Sequence, residues 1–220
     1  MQIVKPFTSL IFVMDRSWSM KRLRQEAIDG FVKSQRRRHR KKGGTVVLSL
    51  VQFNHIYEPL FYGVPIQHVG KLRESTYVPA GNTALFDAIA RAVHDGVDYH
   101  SRPSVMVPDK TIVAIMTDGE ENASIEYRDA GAVKKAIKRA RKRHGWKFIF
   151  LASGIEQPFI YAMEMGIRRG ETVSVADSAR GMASSYTVMN NAVTKMIEDE
   201  DDPDSAGWAI NDEGVVEPAK

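Results

Sequence analysis

The chain has no cysteine in its 220 residues. That excludes a disulfide framework, a thiolate metal site and a cysteine nucleophile, and it fits a reducing compartment. Long apolar runs are missing as well. The earliest, Leu10 to Met14, is ended by Asp15, short of the roughly 7–15 apolar residues and small-residue cleavage site of a secretory signal. No segment approaches the ~18 apolar residues of a membrane span. A cytoplasmic location and no membrane association are therefore expected. Several catalytic signatures are absent too: H-E-x-x-H, the Walker A sequence, G-x-G-x-x-G and the G-x-S-x-G elbow. The six histidines show no metal-ligand spacing.

What is present suits one soluble α/β domain. A hydrophobic fraction of 43% and a charged fraction of 26% are ordinary for a globular protein. The length allows a core that needs no staples. A net charge of +4 hides separate blocks of opposite sign. Arg36 to Lys42 reads RRRHRKK, Lys134 to His144 carries a second basic group, and Glu198 to Asp204 reads EDEDDPD. Residues 1–200 are expected to form a single domain, and residues 201–220 an acidic, flexible tail.

Hydrophobic patterning alternates strands with helices. Short apolar runs at Phe7–Met14, Thr45–Phe53, Lys110–Thr117 and Trp146–Ala152 predict buried strands. Ile56–Tyr62 predicts an antiparallel edge strand after a tight Asn54-His55 turn, and Glu171–Val175 a last strand. Helical spacing follows Leu23, Ala27, Ile28, Phe31 and Val32, and covers Ala84–Val97, Arg128–Arg143, Pro158–Met165 and Ala179–Ile197. The expected fold class is α/β: a Rossmann-like, doubly wound, mostly parallel central sheet of about six strands, with one antiparallel edge strand and helices on both faces. Ligands of such sheets bind beyond the carboxyl ends of the strands.

Oxygen-bearing side chains gather at those ends. Asp15, Ser17 and Ser19 follow the first strand, Thr83 precedes the middle helix, and Asp118 follows Thr117. An all-oxygen set suits a hard cation. Asp15-Arg16-Ser17-Trp18-Ser19 matches D-x-S-x-S, and Thr83 and Thr117-Asp118-Gly119 follow at the matching order and spacing. In this the chain resembles von Willebrand factor type A domains with a metal-ion-dependent adhesion site. The stretch IMTDGEENAS looks like the stand-alone bacterial or phage members, and the likeness spans about residues 7 to 197.

The resemblance implies a divalent-cation-dependent binding module rather than an enzyme, with no catalytic residues. Ser17, Ser19 and Thr83 would hold the ion through hydroxyls, and Asp15 and Asp118 would act through water or hydrogen bonds. Magnesium is the expected cofactor, with manganese or calcium as substitutes. The expected partner is a protein presenting an Asp or Glu side chain. Arg16, Trp18, Asn82, Glu120 and Glu121 would form the partner-binding rim. Trp18 stands where the family often has glycine, so it either anchors a partner or folds back.

Two other functions fit parts of the sequence. One is a magnesium-dependent phosphotransferase or phosphatase with Asp15 as nucleophile. It lacks the second acid, since Ser17 occupies that position, and no lysine is evident near these loops. The other is a nucleic-acid-associated protein using Arg36, Arg37, Arg38, Arg40, Lys41 and Lys42 as an anion-binding run; that run lacks the interleaved aromatics of a single-strand binder.

Overall fold

The first strand, β1 (Phe7–Asp15), is buried at every residue after Phe7. A strand covered on both faces belongs at the centre of a sheet with helices on either side. The computed structural model describes residues 6–40, 45–198 and 207–219 and shows that arrangement. The other strands are β2 (Thr45–Phe53), β3 (Tyr57–Pro65), β4 (Lys110–Thr117), β5 (Lys147–Ser153), β6 (Thr172–Val175), β7 (Trp208–Ile210) and β8 (Val216–Pro218). Their spatial order is β3-β2-β1-β4-β5-β6-β7-β8.

Alternate residues of β1 serve two different layers. Leu10, Phe12 and Met14 pack with α1 (Arg24–Arg40) and α5 (Ala179–Glu198). Ile11 and Val13 pack with α2 (Leu85–His100), α3 (Ala130–His144) and α4 (Pro158–Glu164). In the first layer Phe12 meets Phe31 edge-on at 5.5 Å and lies parallel to Tyr186 at 6.3 Å. There α1 and α5 approach so closely that a Cβ at Gly30 would fall 2.1 Å from the Tyr186 ring. The second layer is closed by small side chains: Ala88, Ala92, Ala136 and Ala140 let α2 and α3 sit close to the sheet. α3 has an Asp129 N-cap bonded to the Ala132 amide and a left-handed Gly145 at its end.

β1 lies between β2 and β4, both parallel to it. The chain leaves β1 on one side and returns on the other, so the carboxyl ends of β1 and β4 form a topological switch point. The Met14–Met116 pairing sets Asp15 beside Thr117 at that crevice. β3 is the antiparallel edge strand, as its sequence predicts. Among the described residues, no helix is long and apolar enough to cross a membrane.

One expectation is corrected at the other edge. The described sheet has eight strands rather than about six, because residues 207–219 are not a loose tail. Trp208–Ile210 pairs parallel to β6, and Val216–Pro218 pairs antiparallel to β7, giving a second antiparallel edge. Asn211 makes the turn: its side-chain oxygen accepts from the amides of Glu213 and Val215, and Gly214 takes the left-handed conformation at φ 79°. Ile210 and Ala219 are buried, so the hairpin covers an edge that β6 would otherwise present to solvent. Three-residue strands beside an acidic run carry too little pattern to stand out in sequence.

Because the hairpin covers the β6 edge, ending the chain at Glu198 should lower Tm by roughly 5–15 °C and promote association through β6. Thermal melting and light scattering check this; an unchanged Tm would show that the hairpin adds nothing.

Candidate functional site

Asp15 ends β1 with none of its surface exposed. Its Oδ1 accepts the Ser17 amide at 2.6 Å, a local turn natural to aspartate. Its Oδ2 accepts the Thr117 hydroxyl at 2.7 Å, from the neighbouring strand end. The buried Tyr77 hydroxyl donates to the Asp15 carbonyl at 2.5 Å. The chain then turns into a 3-10 helix, Trp18–Leu23. Ser17 precedes it in extended conformation and makes no side-chain cap bond among the described residues, which leaves its hydroxyl 3.1 Å from Ser19 Oγ. Ser19 Oγ donates to Asp118 Oδ1 at 2.5 Å, across 99 residues of chain. Asp15, Ser17, Ser19 and Asp118 thus form one connected set.

Thr83 joins from a second loop. That loop is strapped to the first by Trp18 N–H to the Gly81 carbonyl at 2.9 Å and Ala80 N–H to the Arg16 carbonyl at 2.9 Å. Asn122 fixes Thr83 reciprocally, its side chain accepting the Thr83 amide at 2.8 Å and its amide bonding the Thr83 carbonyl at 3.0 Å. A methyl placed on Gly119 would lie 3.8 Å from Thr83 Oγ1 and 3.9 Å from Ser19 Oγ. The two hydroxyls therefore flank one point above that bare Cα.

Burial dominates the electrostatics. Desolvation pushes the Asp15 carboxyl up to about 7 against its hydrogen bonds from Thr117 and Ser17, and the nearby Asp118 charge pushes the same way. Asp118 is also raised, chiefly by burial, while Ser19 and Arg22 oppose the rise. Asp118 Oδ2 is buried and has no hydrogen-bond partner among the described residues. The nearest cation, Arg22 Nη2, stands 3.8 Å away, beyond hydrogen-bond reach.

This donor set fits a hard cation. Buried, unbonded carboxylate oxygens carry a cost that a cation removes. Oxygens bound at right angles to magnesium at ~2.1 Å lie about 3 Å apart, close to the serine spacing. Among the described residues no three of His, Cys, Asp or Glu gather as a metal cluster; the convergence here is of hydroxyls with two acids.

The expected rim divides. Trp18 is 63% exposed, with Lys21 Nζ 4.6 Å from its ring centroid, so it does not fold back into the domain. Asn82 and Glu120 are exposed. Arg16 turns instead to β3, pairing with Glu58 at 2.6 Å. Glu121 is consumed internally. One oxygen accepts the Ala123 and Ser124 amides, and the other the Phe86 amide and the Ser124 hydroxyl, all within 2.7 Å. It joins the loop after β4 to the start of α2, a reason of architecture for leaving the partner-binding set. Asp87 repeats the device by accepting from the Ile125 and Tyr127 amides. The side chains of Arg36, Arg37, Arg38 and Arg40, and all of Lys41 and Lys42, lie outside the described residues.

Sequence analysis missed Thr117 and Asn122 as site supports, and Tyr77, Arg22 and Asp177 as site neighbours. Thr117 and Asn122 flank Asp118 so closely that position alone could have marked them. Nothing local points to Tyr77 or Asp177.

No protein-family model matches the chain, and no curated protein does. Solved structures do. The PilB minor pilin from Streptococcus sanguinis matches at 12% identity and TM-score 0.59, over 88% of this chain and 62% of that one. The vWF domain of the type V pili tip protein Mfa5 from Porphyromonas gingivalis matches at 11% and 0.54, over 88% and 97%. The fold is von Willebrand factor type A-like. A type A domain from Catenulispora acidiphila agrees, at 12% and 0.53, over 86% of this chain and 42% of that one. The VWA-like chain spans less than two thirds of the PilB and Catenulispora chains, and identities this low speak for fold alone.

The raised Asp15 pKa has a definite sign. Folding favours the protonated acid, so its stabilisation is complete below about pH 3.8 and is lost as pH rises through about 7. In chelator, Tm should therefore climb as pH falls from 8 to 5.5, and Asp15→Asn should flatten that dependence. Calorimetry across the window decides; a parallel pH dependence in both chains would refute the assignment.

Proposed function

We propose that this VWA-like domain is a protein-binding module that captures a partner carboxylate through a divalent cation, magnesium in the cell. The carrying observation is the Ser17–Ser19–Asp118 hydroxyl chain, which unites two distant loops at the sheet's switch point. Ser17, Ser19 and Thr83 would hold the ion through neutral hydroxyls, with Asp15 and Asp118 acting through water or hydrogen bonds. Neutral ligands leave a cation strongly attractive to an outside anionic oxygen, and the supporting bonds from Thr117 and Asn122 orient the set. Binding rather than catalysis is proposed.

The surroundings support a protein partner. Trp18 is exposed beside the site, and Ile56 and Val78 are exposed on the adjoining loops. An exposed aromatic next to a charge-specific site is a usual anchor of protein interfaces. Pilus functions belong to the neighbours so named; for this chain only the mode of binding is proposed. A cytoplasmic location is part of this proposal, and a chain without cysteine is compatible with that reducing compartment.

Titration with Mn²⁺ or Mg²⁺ should give one site. Ser17→Ala and Thr83→Ala should each weaken it by about tenfold or more while Tm in chelator stays within about 3 °C of wild type. Affinity capture from the native host, with and without chelator, reads out the partner. A partner retained equally well in excess chelator would overturn the cation-bridged mode.

A further inference from the structure

Arg22 is a feature of this site that a cation-binding oxygen set does not call for. It lies in the 3-10 helix that carries Ser19, with its side chain about half exposed. Its Nη2 forms a close ion pair with Asp177 Oδ1, and its Nη1 reaches the Asp177 carbonyl at 3.5 Å. Asp177 sits in the turn between β6 and α5. The same Nη2 faces Asp118 Oδ2 at 3.8 Å, the buried oxygen without a hydrogen-bond partner among the described residues. A surface pair with Asp177 would account for half of this geometry. It does not account for a guanidinium aimed at a buried acid of the metal set.

We propose that Arg22 is a built-in counter-cation of the site: moored to Asp177, it competes with the divalent ion for Asp118 and sets how tightly that ion is held. This rests on the metal-binding function proposed above. A guanidinium keeps its charge at every working pH. A dication at the hydroxyl set must therefore share the Asp118 field with a fixed positive charge or push it aside. Burial of Asp118 makes that repulsion stronger than it would be in water, while solvent around the half-exposed guanidinium keeps it moderate. Arg22 can yield because its side chain is long and half exposed, and because Asp177 remains as its partner. Asp177 thus acts as the mooring, and Arg22 as a positioning residue that tunes affinity without ligating the ion. Lys21, next to it on the same helix, has its ammonium over Trp18 and lacks this relation to Asp118.

Calorimetric titration of Mn²⁺ into the full chain tests the idea, with each variant's fold confirmed by circular dichroism. Arg22→Gln should bind Mn²⁺ roughly tenfold tighter than wild type. Arg22→Met, which keeps the aliphatic stem, should do the same and serves should the first variant misfold. Arg22→Lys should stay within about threefold of wild type, and Lys21→Gln within about twofold. Equal or weaker Mn²⁺ binding in both charge-removing variants, with wild type binding normally, overturns the role of Arg22 and leaves the metal centre standing. An equal gain in Lys21→Gln also overturns it, because net charge alone would then explain the effect. No Mn²⁺ uptake by any chain overturns both.

Discussion

The buried carboxylate of Asp15 is the constraint on which the site depends. It joins the ends of the two central strands by accepting from Thr117, and it starts the first loop by accepting from Ser17. Without that pair of bonds there is no local reason for the chain to turn where it does, or for the two serine hydroxyls to meet. Burial raises its pKa to about 7, well above the usual carboxylate range. A carboxyl so buried costs stability as an uncompensated charge and regains it by binding a proton.

Around it, polar residues divide between supporting the site and presenting it. Glu121, Asn122 and Asp87 tie the loop after β4 to the start of α2 with at least three hydrogen bonds to backbone amides outside their own residues. A loop held so firmly can keep Thr83 and Asp118 in place without belonging to a regular element. Trp18, Asn82 and Glu120 are left exposed at the rim. Arg16, by contrast, is drawn sideways to Glu58, which joins the first loop to the edge strand β3.

The fold was largely legible because its strands are short apolar runs and its helices repeat at helical spacing. β2 and β4 lie on the residues that their patterns mark, Thr45–Phe53 and Lys110–Thr117. The β7–β8 hairpin was not legible, since Trp208–Ile210 becomes a strand only because β6 offers an open edge. The candidate site residues stood out by type and spacing, and the structure brings Asp15, Ser17, Ser19 and Asp118 into one hydrogen-bonded set. The assignment of Glu121 to the rim failed for a physical reason: a glutamate next to a site aspartate looks the same in sequence whether its oxygens face a partner or four donors of its own chain.

The sequence by itself determined the alternation of strands and helices, the absence of cysteine chemistry, and the three places where oxygen donors cluster. Those are local properties, set by periodicity and residue chemistry along a few adjacent positions. Only the tertiary structure decided that Ser19 bonds Asp118, that Asn122 grips Thr83, and that Arg22 lies between Asp118 and Asp177. Each joins residues 39 or more positions apart, and such meetings depend on strand order and register, which emerge only when the whole sheet closes around β1.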